Sequence, residues 1–211
     1  MKRIALALVA ITLAGCGGGP RVTHTRDVAA FDRVVVGDSI DVEVVRGDPQ
    51  VDVYAGEDVM DRVRTESSGG ELRVRLVDRG IVIGPDPLGD VRVRIATDRL
   101  EGVEIHGSGD VALTGVDEER LALEVRGAGE IDAAGTVGHL DATIQGAGEA
   151  NLSELAARTA EVLVQGAADA DLNVADELEV TVQGAADVSY RGDPVVRSDV
   201  DGVGDIQRIG P

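Results

Sequence analysis

The feature that most constrains this chain is a tetrapeptide that returns at nearly constant phase between Leu100 and Gly210. It reads Gly107-Ser-Gly-Asp110, Gly127-Ala-Gly-Glu130, Gly146-Ala-Gly-Glu149, Gly166-Ala-Ala-Asp169, Gly184-Ala-Ala-Asp187 and Gly202-Val-Gly-Asp205. Successive first glycines are 20, 19, 20, 18 and 18 residues apart. A period of this size marks a solenoid, because one such unit cannot bury its apolar face without neighbours above and below.

The columns of the repeat give the local structure. Two residues before each first glycine stand Ile105, Val125, Ile144, Val164, Val182 and Val200, all β-branched. Four before stand Val103, Leu123, Ala142, Val162, Val180 and Ser198, and six before stand Glu101, Leu121, Leu140, Ala160, Leu178 and Val196. Alternate positions are mostly polar, so each unit carries a period-two strand with one face in a core. After the turn, Val111, Ile131, Ala150, Ala170, Val188 and Ile206 continue the inward set. A meander of hairpins also gives short strands and regular turns. Antiparallel pairing reverses direction at every strand, however, and would not favour one tetrapeptide at one phase. Stacking at about 4.8 Å per strand places like residues over like. The fold expected is an all-β, right-handed, single-stranded parallel β-helix with coils of about 18–20 residues. In it, Gln145, Gln165 and Gln183 would stack into an amide ladder.

The N-terminus reads differently. Lys2 and Arg3 precede an apolar run, Ile4 to Ala14, that is too short to span a bilayer and has the layout of a secretory signal. The run closes on Leu13-Ala-Gly-Cys16, which resembles the lipobox of bacterial lipoproteins, although an ordinary signal peptide would also fit. The resemblance implies residues 1–15 as a signal peptide, acylation at Cys16 and, since Gly17 rather than Asp follows, an outer-membrane address. With Cys16 the only cysteine, no disulfide framework is available. Residues 16–29 are expected to be a mobile tether, and residues 30–211 the β-helical domain. Phe31 to Val44 matches Leu100 to Leu113 at an offset of 69 residues, pairing Val34 with Val103, Val36 with Ile105, Ser39 with Ser108, Asp41 with Asp110 and Val42 with Val111. Further strands are expected at Val51 to Tyr54, Leu72 to Leu76, Ile81 to Ile83 and Val91 to Ile95, with turns at Gly69-Gly70 and Gly84-Pro-Asp-Pro87.

Phe31 onward resembles the head GIN domain of proteins labelled autotransporter adhesins. The repeated Gly-Ser-Gly-Asp phrase of that family is matched by Gly107 to Asp110 and loosely by the five later copies. The resemblance implies a β-helical, extracytoplasmic domain. At 211 residues, with a lipobox and no translocator barrel, the chain is not expected to be an autotransporter itself.

Charge and composition narrow the partners. Loss of residues 1–15 takes the formal charge from -19 to about -21, which repels nucleic acid and anionic membrane apart from the lipid anchor. The aromatics are Phe31, Tyr54 and Tyr190 with no Trp, so stacking platforms for sugars or bases are scarce. An envelope protein or a glycan held by hydrogen bonds is the partner expected.

Asp110, Glu130, Glu149, Asp169, Asp187 and Asp205 would line one edge at about 4.8 Å intervals, close enough for Ca²⁺ to bridge neighbours, or else serve as solvated turn acids that cap backbone groups. No other cofactor is implied. His24, His106 and His139 have no phased nucleophile nearby in sequence, and no catalytic residue is assigned. Glu124 with Arg126 could belong to a polysaccharide lyase or hydrolase, but such pairs are also ordinary outward strand charges. The reading reached is a lipid-anchored cell-envelope binding or structural module, with a carbohydrate-active enzyme on the same scaffold as the alternative. A concave groove bearing acids and a base would favour the enzyme, and a smooth prism the module.

Overall fold

The computed structural model describes residues 20–77 and 91–210. The signal segment, Cys16, the strand expected at Ile81 to Ile83 and the turn at Gly84 to Pro87 lie outside the described residues. Almost everything described is strand, wound into a parallel β-solenoid of about 5 turns.

The repeated coils come from three long strands, β9 (Val111–Gly127), β10 (Glu130–Gly146) and β11 (Glu149–Arg191). Each bends round the corners without breaking. The short β8 (Gly102–Gly107) precedes them, and β12 (Val195–Val203) and β13 (Ile206–Gly210) follow. All of these pair in parallel, and the register joins Ile105 to Val125, Val125 to Ile144 and Ile144 to Val164. The columns read from the sequence are therefore the stacks. Ile105, Val125, Ile144, Val164 and Val182 are each at most 1% exposed. The helical ladder of side chains on the outside is also present, with Gln145 Nε2 donating to Gln165 Oε1 at 2.9 Å and Gln165 Nε2 to Gln183 Oε1 at 2.8 Å.

The match at offset 69 has a spatial meaning. β2 (Arg33–Asp38) and β3 (Asp41–Arg46) form a coil laid directly on β8 and β9, with Val34 opposite Val103, Val36 opposite Ile105 and Val42 opposite Val111. Ser39 and Ser108 share a hydroxyl hydrogen bond of 2.9 Å across the two turns. In this first coil Asp38 sits opposite Gly107 and takes the left-handed conformation at φ 65, which short polar side chains tolerate. Its Oδ2 accepts the Leu76 N–H at 2.7 Å, so the residue that replaces glycine also ties down the next rung.

The described residues between the two matching segments build one end of the solenoid. β6 (Glu71–Leu76) and β7 (Arg92–Thr97) stack in parallel on β2 and β3 as one more coil. β4 (Gln50–Gly56) then pairs antiparallel with β7, and β5 (Val63–Ser68) antiparallel with β6. Between them the short α1 (Glu57–Met60) buries Val59 and Met60. The expectation of a wholly parallel array fails at this end for a physical reason. A final parallel rung would leave the core open, and α1 covers it by burying Val59 and Met60, while β1 and β5 remain the edges of the sheet.

The tether expected over residues 16–29 is corrected in its second half. β1 (Arg21–Arg26) pairs antiparallel with β4 along six residues, from Arg21 opposite Gly56 to Arg26 opposite Val51. Arg26 Nη2 donates to the Met60 carbonyl at 3.3 Å, which fastens this strand to the cap. Its side chains are mostly exposed, so hydropathy carried no strand signal there. Backbone pairing to an available edge decided the conformation instead.

Candidate functional site

In the row of acids that follow the turns, Glu130 stacks on Glu149. What the carboxylates do is local. Asp110 Oδ1 accepts the Glu130 N–H at 3.4 Å and Asp187 Oδ1 accepts the Asp205 N–H at 3.1 Å, each capping the next coil. Among the described residues no group of three or more His, Cys, Asp or Glu is placed to hold a metal ion.

The row has an electrostatic cost. Burial first, and then Asp132, Glu149 and Asp110, push the Glu130 carboxyl above the usual carboxylate range. A raised folded-state pKa means that ionisation opposes folding: the penalty is full above that pKa and disappears as pH falls through it toward the unfolded value. Glu130→Gln is therefore expected to raise the melting temperature at neutral pH. The gain should shrink to nothing in a scan taken below the carboxylate range, and a gain independent of pH would show that charge is not its cause.

Glu124 and Arg126 form an ion pair of 2.6 Å two residues apart on one outward strand face, and His106 pairs with Glu104 in the same way at 3.1 Å. These are surface pairs worth about 0–1 kcal/mol. Neither pair lines the groove formed by the described residues around Ala122. His24 lies in β1 opposite Val53, remote from the other two histidines in the fold.

The concave feature lies elsewhere. A groove of roughly 550 Å³ is lined by Arg33, Arg99, Glu101, Glu118, Glu119, Arg120, Leu121, Ala122, His139 and Asp141. Its origin is a gap in one outward row. Register places Arg33, Gly102, Ala122 and Asp141 on successive rungs, so two small residues separate two charged ones. Gly102 is itself buried with the Arg33 stem close over it, and the trough opens over the short Ala122 between Arg33 and Asp141, flanked by the corner segments.

Some of its charges are already engaged. Glu118 Oε1 accepts the Leu100 N–H at 3.1 Å, and Arg99 is paired with Glu101. His139 Nδ1 shares a 2.9 Å hydrogen bond with Thr159 Oγ1, which also lies 3.3 Å from the Gly138 carbonyl oxygen. That leaves Arg33, Arg120, Glu119 and Asp141 with no side-chain hydrogen bond or ion pair among the described residues. A trough carrying free groups of both signs can bind a hydroxyl-rich ligand through many directed hydrogen bonds.

Sequence reasoning weighed only His139 of the lining residues for a functional role, and named Glu101 and Leu121 only as members of a repeat column. The signal was present as Gly102 and Ala122 in an outward column, but it becomes visible only once coils separated by 69 residues are stacked.

Comparison with known proteins now has a fold to refer to. Residues 30–194 match the family described as "Putative auto-transporter adhesin, head GIN domain". Among solved structures, a "putative adhesin" from Bacteroides fragilis is similar at a TM-score of 0.75 and 19% identity, covering 90% of this chain and 97% of that one. A "putative lipid binding protein" from Parabacteroides distasonis reaches 0.53 at 18% identity, covering 94% and 100%. A "putative adhesin" from Parabacteroides merdae reaches 0.52 at 15% identity, covering 92% and 98%. At such identities these likenesses concern the fold. No curated protein matches the chain. With most of the domain matched by the family pattern and the solenoid shared with solved adhesin-like proteins, the chain belongs to the auto-transporter adhesin, head GIN domain family.

Proposed function

We propose that the chain is a lipid-anchored module of the cell envelope that binds a glycan in the groove between Arg33 and Asp141, without catalysis. The observation that carries this reading is a polar trough with unengaged groups of both signs and no aromatic lining, suited to hydroxyls and carboxylates rather than apolar surface. Family membership supports an adhesin-like, envelope-associated role. The Leu13-Ala-Gly-Cys16 sequence supplies the anchor.

Two experiments test the two halves. Cys16→Ser should abolish incorporation of labelled palmitate, and undiminished labelling would remove the lipid anchor from this reading. Polysaccharide isolated from the producing cell's envelope should be retained by the immobilised protein, and Arg120→Ala or Asp141→Ala should weaken retention several-fold. Equal retention by both variants would exclude the groove.

A second reading keeps the alternative of a carbohydrate-active enzyme, because the surface is not a smooth prism and the trough holds Glu119 and Asp141 beside Arg120. It requires release of shortened chains from the same polysaccharide, lost in Glu119→Gln or Asp141→Asn. Retention without product supports the binding module.

A further inference from the structure

The last rung of the described sheet combines an open edge with an uncovered apolar column. β12 and β13 each pair with β11 alone, so among the described residues their other edges have no partner. Val196, Ser198 and Val200 continue the inward column of Leu178, Val180 and Val182. Yet Val200 is 42% exposed where Val182 is 1% exposed. Val195, Val203 and Ile209 are also exposed, at 63%, 76% and 45%. At the opposite end α1 covers the core with Val59 and Met60, so the edge strands β1 and β5 there do not border an open apolar column. Free backbone groups beside an open apolar column form a template for another strand.

We infer that two copies of this chain join end to end here, β12 lying antiparallel against β12 of the second copy. A two-fold contact must be self-complementary, with each residue meeting its partner twice. Facing residues of antiparallel strands also share a side, so only pairings of like parity keep the inward column inward. Those two conditions leave few registers. Centring on Arg197 opposes two guanidinium groups, and centring on Asp199 opposes two carboxylates. Centring on Val200 sets Asp199 against the partner's Asp201. Centring on Ser198 sets Arg197 against the partner's Asp199 on both sides of the axis and Val196 against the partner's Val200. That register alone combines opposite charges outside with apolar contact inside. Arg197 already pairs with Glu177 from the rung below, and the five guanidinium donors leave room for a second carboxylate. The inference is independent of the groove, which lies near the capped end.

The test uses the full chain purified in detergent and sedimented with the detergent's buoyancy matched. The wild type should contain two copies per particle and Asp199→Arg one. The double variant Arg197→Asp with Asp199→Arg should return to two, because the exchanged pair remains complementary. Ser198 faces itself across the axis, so Ser198→Cys should give a disulfide-linked dimer in air. A single-copy wild type, a two-copy Asp199→Arg protein, or a double variant that stays single would each overturn the inference. Should a charge variant lose its cooperative melt, the Ser198→Cys result decides by itself: absence of the cross-linked dimer overturns the pairing.

Discussion

Gly166→Ala is expected to cost about 3 kcal/mol or more, far above what one added methyl group does on an ordinary strand. Gly166 lies at φ +139, where an L side chain is strained, and a Cβ built on it would overlap the Gly146 carbonyl oxygen of the coil below. The overlapped atoms are backbone, and that backbone is itself fixed against Gly127, so no side-chain rotation relieves the clash. The column repeats this geometry at Gly107, Gly127, Gly146, Gly184 and Gly202. Ala168→Gly gives the contrast. Its methyl group is buried at 5% exposure, no positive φ is required there, and the loss should be near 1 kcal/mol. Denaturant midpoints check both, and equal small losses would mean that the turns do not pack backbone on backbone.

The other large effect separates neighbours in one strand. Val182 is 1% exposed and belongs to the buried apolar cluster that also holds Val164, Val180 and Val188, so Val182→Asp places an isolated carboxylate in that core. Several kcal/mol of destabilisation is expected, against roughly 1 to 3 kcal/mol for Val182→Ala. Thr181 faces outward opposite Asp199, so Thr181→Asp adds only surface repulsion between carboxylates. Its midpoint should move by a small fraction of the Val182→Asp shift. Comparable shifts would place the wrong side chains in the core.

Much of the fold was legible because a solenoid converts sequence period into spatial register. The identity of positions 20 residues apart is the identity of adjacent rungs, as in the run Gly107, Gly127, Gly146 and Gly166. The same logic turned Gln145, Gln165 and Gln183 into a ladder. Even the distant match of Ser39 with Ser108 proved to be direct contact. Legibility failed where pattern and environment part company. β1 has no inward face to leave an alternation, and β5 and α1 belong to a cap whose partners are non-repeating. The acids after each turn were legible as a row. Their hydrogen bonds to the next coil's N–H groups were one of two open readings.

By itself the sequence determined the solenoid, the core columns, the close glycine turns and the outward amide ladder. Each follows from side-chain size and polarity repeating at one period, and that information is local to the unit. Only the tertiary structure decided how β4 to β7 and α1 close the array and where a trough opens. Both depend on which non-repeating segments meet across the stack. Gly102 and Ala122 are unremarkable until Arg33 and Asp141 stand on the rungs either side. The exposure of Val200 likewise reflects no property of valine, since Val182 in the same column is buried. Among the described residues no rung lies beyond it, and burial in a stacked fold is supplied by the neighbour.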